Sequence, residues 1–336
     1  MTKAAEGSVI AVELHQGQGL GNQLWTYAAI RSISEQIGAG FELLNPDLFK
    51  GAGFLEIETS TSKDDSQILT RESWQTFKER LYLDRELNYT GSGYDERLLQ
   101  LQGKVIVDGL LQSERYFFGD KHKPSRYIRI RHEALKCINV DPHTCILNLR
   151  GGEYKRHKQF LLPISYWQNA MQNMTILTGV EQFMVVTDDH AYAKALFPNL
   201  PVISGCTATC YAALHQARHV IVSNSTFSYF PIKTSPTEKT VIAPKYWGRH
   251  NSSLNRWASI ANLYEGWLWQ SREGELFSYE HCLNESAQTE AFYQANMYLH
   301  TTPIPTIGER FRDKIPKPLK KAIKYMLGLA LPEHFG

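Results

Sequence analysis

Cysteine is scarce in this chain: five residues in 336 (Cys137, Cys145, Cys206, Cys210 and Cys282), an odd number with no C-x-x-C pair. That spacing signals neither a disulfide framework nor a ribbon-type zinc site, so reduced, buried thiols are expected. Long apolar runs are missing too. No stretch reaches the ~18 apolar residues that a membrane helix needs, and Met1 to Leu14 has no signal-peptide core. A cytoplasmic location is therefore expected, and the N-x-[ST] sequences at Asn88, Asn173, Asn224, Asn251 and Asn284 are read as chance matches. The chain has no G-x-S-x-G elbow, no H-E-x-x-H and no D-x-D string, which disfavours a hydrolytic triad or a metal centre. Nor does one sign of charge dominate. Thirty-six Lys and Arg against 34 Asp and Glu leave +2, no basis for a nucleic-acid partner.

What is present is core material: 43% hydrophobic and 12% aromatic residues, in a length that favours two domains. Short β-branched apolar runs recur at Ser8 to Leu14, Val105 to Val107, Cys145 to Leu149, Phe183 to Thr187 and His219 to Ser223, each followed by glycine or polar residues. Helical patterns fall between them, at Leu24 to Ile37, Ile164 to Met174, Ala191 to Phe197 and Thr207 to Arg218. Strands alternating with helices predict parallel α/β sheets whose ligands gather at the carboxyl ends of the strands. A boundary between Arg131 and His143 divides the chain into an N-terminal α/β domain (residues 1–135), a second α/β domain (136–260) and an irregular, aromatic-rich extension (261–336).

Four strand ends carry candidate chemistry. Gly17, Gly19 and Gly21, with Asn22, open a helix whose free N–H groups favour an anion. The G-x-G-x-G spacing is not the dinucleotide fingerprint, and a glycine turn packing a helix on a sheet explains it as well. Arg150 follows a strand beside Gly151 and Gly152, where a guanidinium can meet a diphosphate; a structural strand cap fits that window equally. Asp188 and Asp189 end another strand and suit either N–H acceptance or helix capping. Ser225, Thr226 and Phe227 lie in S-N-S-T-F-S, a hydroxyl-rich helix start apt for phosphate or for simple capping.

Taken in order, GQGLGNQLWTYA, DGLLQSERYF, LRGGEY, VTDD, SNSTFS and VIAPKYW resemble the family 11 glycosyltransferases. These are the α-1,2-fucosyltransferases, relatives of the α-1,6- and O-fucosyltransferases. The resemblance runs from Gly17 to Trp247. It implies a GT-B fold, two facing Rossmann-like domains with a cleft between them, that transfers L-fucose from GDP-fucose, with inversion and without a metal or other cofactor, to an acceptor hydroxyl. By the resemblance, Arg150 binds the β-phosphate, Gly21, Asn22, Ser225, Thr226 and Phe227 bind the donor, and Asp188 lies on the guanine side. The family motif H-x-R-R-G-D-Y is altered here: Asn148 replaces histidine, Gly151 the second arginine and Glu153 the aspartate. Asn148 is accordingly a donor-binding candidate and Glu153 the candidate proton acceptor. The altered motif also keeps open a catalytically silent nucleotide- or glycan-binding protein on the same fold, or a different nucleotide sugar.

Beyond the resemblance, Gly308 to Gly336 holds seven basic and three acidic residues, +4 on an otherwise slightly acidic chain. Apolar residues at helical spacing within residues 314–331 predict a basic amphipathic helix, suited to the inner face of a membrane and to a lipid-linked acceptor oligosaccharide, or to packing on the body.

Overall fold

The computed structural model describes residues 4–61, 74–84 and 89–296. In chain order the first half supplies β1 (Val9–Glu13), α1 (Leu20–Ile37), β2 (Gly40–Leu44), β3 (Leu55–Glu56), β4 (Gln75–Lys78), β5 (Leu81–Asp84), β6 (Tyr89–Ser92), β7 (Lys104–Asp108), α2 (Lys123–Tyr127) and β8 (Arg129–Ile130). The second half follows with α3 (His132–Lys136), β9 (Thr144–Leu149), α4 (Ile164–Thr178), β10 (Gln182–Thr187), α5 (His190–Leu196), β11 (Val202–Ser204), α6 (Thr207–Gln216), β12 (His219–Val222), α7 (Tyr229–Lys233), β13 (Thr240–Pro244), β14 (Leu268–Gln270), β15 (Leu276–Phe277) and α8 (Tyr279–Asn296).

Two sheets organise these elements. The first has the order β2-β1-β7-β4, all parallel; the second runs β11-β10-β9-β12-β13-β14-β15, parallel except for β15. Strands buried on both faces read as continuous apolar runs, which is why β1, β9 and β12 stand out in the sequence. Two Rossmann-like halves face each other across a cleft, the GT-B arrangement expected above.

Helix α1 joins the halves. Fourteen of its 18 residues are buried, so it is covered on nearly every side, and Gly38 ends it in the left-handed conformation (φ 73°). Trp25, fully buried, stacks on Phe117 of the first half and meets Tyr229 and Phe230 of the second at centroid distances of 4.2 and 5.3 Å. A single hydrophobic core thus runs through both halves, and a second fills the far face of the larger sheet around Leu147, Trp167 and Ile221.

Several elements differ from the sequence expectation. Residues 279–296, expected to be irregular, form α8, whose inward side carries Cys282 and Tyr293. Strands β14 and β15 extend the second sheet into the stretch expected as an extension. Cys137 and Cys206 are exposed; only Cys145, Cys210 and Cys282 are buried. The expected amphipathic helix at 314–331 lies outside the described residues, among which no helix is long and apolar enough to cross a membrane.

Candidate functional site

Each sheet has a point where the chain leaves one strand for neighbours on opposite sides. In the first sheet it lies between β1 and β7; in the second, between β9 and β12. Ligands of α/β proteins collect at the carboxyl ends of strands at such points. Here both open on one cleft of about 660 Å³. Its lining includes nine of the candidates, Gly21 and Asn22 after β1, Asn148 near the end of β9 with Arg150 and Glu153 after it, Asp188 after β10, and Ser225, Thr226 and Phe227 after β12, but not Asp189.

The β9 end is built around a carboxylate. Asp188 Oδ2 lies 3.0 Å from Arg150 Nη1, and Oδ1 accepts the Gly151 N–H at 2.9 Å. Asp188 therefore fixes the turn and aims the guanidinium. Gly152 packs directly on it: a Cβ there would sit 2.5 Å from Oδ2. At Gly151, where the resembled motif has a second arginine, a Cβ would approach Tyr192 Cδ1 to 2.7 Å and Asp189 Cβ to 2.8 Å. Helix α5 packs too closely here for any side chain. Asp189, by contrast, caps α5 by accepting the Tyr192 N–H and pairs with Lys155. Burial works against its ionisation, but those two hydrogen bonds outweigh it and hold its carboxyl below the usual range.

On the β12 side, Ser225 caps a short turn through its side chain. Thr226 Oγ1 donates to Asn22 Oδ1 at 2.9 Å, across the seam between halves, and Gln112 Nε2 donates to the same oxygen at 3.1 Å. Helix α1 has no side-chain cap and no acid in its first turn, so its free N–H groups and positive end face the cleft unneutralised. The charged lining residues are Lys50, Arg150, Glu153 and Asp188. Asn148 Oδ1 and both polar side-chain atoms of Asn224 are buried at the cleft without a hydrogen-bond partner. Such groups cost free energy unless a ligand or water satisfies them.

Among the cleft residues that the sequence does not mark out, three shape the site. Asn224 sits inside S-N-S-T-F-S but reads there only as part of a glycosylation sequence. Gln112 lies within the DGLLQSERYF string with no chemistry of its own. Tyr154 donates its hydroxyl to the Asn224 carbonyl at 2.9 Å, tying the β9 turn to the β12 turn, and burial raises its pKa.

The Gln112 loop is held from behind. Glu79, buried, accepts the Leu110 and Leu111 N–H groups on Oε2 at 2.6 and 3.1 Å, and Leu111 adopts a left-handed conformation (φ 51°). Burial, with Asp95 and Asp108 adding repulsion, pushes the Glu79 pKa up to about 8 against the two hydrogen bonds. A carboxyl raised in the folded state contributes stability that is complete below its unfolded value of 4.5 and is lost as pH rises through about 8. Glu79→Gln should remove that loss. Chemical unfolding between about pH 5 and pH 8 should show the wild type weakening by roughly 1 kcal/mol per pH unit relative to the variant, and levelling off above that; parallel curves would refute it.

Comparison with known proteins adds the following. No family model matches the chain. It is 26% identical over 139 residues to WbnK, an O-antigen biosynthesis glycosyltransferase of Escherichia coli, the match covering 37% of this chain and 46% of that protein. The chain thus spans about half the length of the curated relative it matches. Among solved structures, the α-1,6-fucosyltransferase NodZ of Bradyrhizobium, crystallised with GDP, aligns with a TM-score of 0.43 at 14% identity, over 69% of this chain and 94% of that one. POFUT1 in complex with GDP-fucose aligns at 0.43 and 10% identity, over 71% and 99%. Identities and scores this low leave the cleft residues to carry the functional reading.

Proposed function

We propose that this chain is a glycosyltransferase that moves a sugar from a nucleoside diphosphate donor, GDP-fucose by the motif resemblance, to a hydroxyl of an acceptor glycan in surface polysaccharide synthesis. The observation that carries this is the meeting, in one cleft, of Arg150 with the uncapped amino end of α1 and the hydroxyl-rich turn after β12. That set suits a diphosphate. The partial match to WbnK agrees with it.

Glycosyl transfer passes through an oxocarbenium-like state in which negative charge grows on the departing diphosphate. Arg150, fixed by Asp188, and the α1 N–H groups would stabilise that charge; placed in advance, they need no reorganisation as it develops. Glu153, exposed at the cleft wall, would take the acceptor hydroxyl proton on this reading. Transfer on this scheme needs no metal, so activity should survive a chelator.

A thermal-shift comparison of GDP, UDP and dTDP tests the donor. A ligand at a hundred times its dissociation constant stabilises by about 2.7 kcal/mol, so GDP should raise Tm and the pyrimidine nucleotides should not. A pyrimidine preference would overturn the GDP assignment. Release of GDP from GDP-fucose then separates an enzyme from a silent binder.

A further inference from the structure

Asn22 is a carboxamide, and the end it presents to the cleft decides whether it attracts or repels an anion. Its Oδ1 is occupied: Gln112 Nε2 and Thr226 Oγ1 both donate to it, at 3.1 and 2.9 Å. That leaves the Nδ2 donors for the cleft, which Asn22 lines. Gln112 can offer its Nε2 to Asn22 because its own Oε1 is taken, at 3.0 Å, by Asn262 Nδ2. Asn262 lies between β13 and β14, is 1% exposed and is not among the cleft-lining residues. Its Nδ2 also donates to the Tyr264 hydroxyl at 2.9 Å, and Tyr264 is locked in the aromatic core against Trp25, Tyr229 and Trp267. Three amides therefore form a relay with one direction, starting in the core of the second half, passing through Gln112 of the first and ending at Asn22.

We propose that Asn262 is a positioning residue for diphosphate binding: it sets the polarity of the Gln112–Asn22 pair so that Asn22 offers N–H donors, not a carbonyl oxygen, to the anion. This rests on the reading of the cleft as a nucleoside diphosphate site and extends it to a residue outside the cleft. Reversing the relay would turn Asn22 Oδ1 toward the phosphate oxygens, where like partial charges repel.

Asn262→Asp removes the donor that sets the direction. Gln112 must then donate to the new carboxylate and turn its oxygen to Asn22, which reverses the pair. Gln112→Glu does the same one step along without burying a charge at position 262, and serves if the first variant folds poorly. Binding of GDP and of guanosine is measured by calorimetry for wild type, Asn262→Asp, Gln112→Glu, Asn22→Ala and the Asn22→Ala/Asn262→Asp double variant. Each single variant should lose about tenfold or more in GDP affinity, as expected for one hydrogen bond to a charged group, with guanosine affinity unchanged. The double variant should be no worse than Asn22→Ala alone, because Asn262 acts only through the contact that Asn22→Ala removes. Equal losses for GDP and guanosine, additive losses, or unchanged GDP binding would each overturn the proposal. A wild type that binds neither ligand would instead sink the reading of the cleft itself, and this proposal with it.

Discussion

Arg150→Ala is expected to slow sugar transfer by about 10²- to 10³-fold, the usual cost of removing one donor that meets charge developing in the transition state. The fold should survive. Arg150 and Asp188 are each about one-quarter exposed, at 25% and 26%, and pairs in that setting contribute little to stability. The kinetic loss should exceed what deletion of a cation alone predicts, because the variant leaves Asp188 facing the diphosphate with no counter-charge. Donor KM should therefore rise as kcat falls. Arg150→Lys should recover only part of the rate: it restores the charge but not the planar fork that can hold Asp188 and a phosphate together. Measuring nucleoside diphosphate release, with circular dichroism to verify folding, checks all three statements. Wild-type turnover in the alanine variant would remove Arg150 from the chemistry.

Much of this site was legible in the sequence because of where it sits. Parallel strands buried on both faces give uninterrupted apolar runs such as VIAVE and TCILNL, and ligand-facing residues follow immediately after them. Nine residues chosen from strand ends consequently line a single cleft. The same logic fails where a strand is short or only half-buried: β2 (GFELL) alternates too weakly to announce itself, and β11 and β14 have three residues each. Helix α8 was illegible because its inward face, Cys282, Ser286, Thr289 and Tyr293 at helical spacing, is half polar and so shows no marked apolar stripe; the Tyr293 hydroxyl anchors it by donating to the Trp257 carbonyl.

The supporting residues escaped for a different reason. Asn262 is 150 residues from Gln112, and Gln112 is 90 from Asn22, so their joint direction exists only after folding. Glu79 likewise reads as one acid among many until its burial behind Leu110 and Leu111 is seen. Gly151 is the reverse case. The sequence displays a glycine where the resembled motif has arginine, but only the packing of Tyr192 and Asp189 shows that no side chain fits there.

Gly21→Ala should be strongly destabilising. An ideal Cβ at Gly21 would stand 2.6 Å from three atoms, Phe227 N, Thr226 C and Thr226 Oγ1, and the first two are backbone that cannot rotate away. Relief would have to come from moving α1 or the turn after β12. Helix α1 is pinned one turn later by Trp25, buried among Phe117, Tyr229, Phe230 and Tyr264. The turn is pinned by Ser225 and by α7, which follows directly. Close-packed interiors yield little, so the added methyl should cost about 3 kcal/mol. At ~2–4 °C per kcal/mol for a chain of this size class, Tm should fall by roughly 6–12 °C. Whatever relaxation occurs must also part Thr226 from Asn22, and donor affinity should drop with stability. Gly53→Ala provides the control: no atom lies within 4 Å of its Cβ position and its φ is not in the left-handed region, so its Tm should stay at the wild-type value. A Gly21→Ala protein as stable as that control would mean that α1 and the turn after β12 leave room for a methyl group at this seam, and the close packing argued for it would fall.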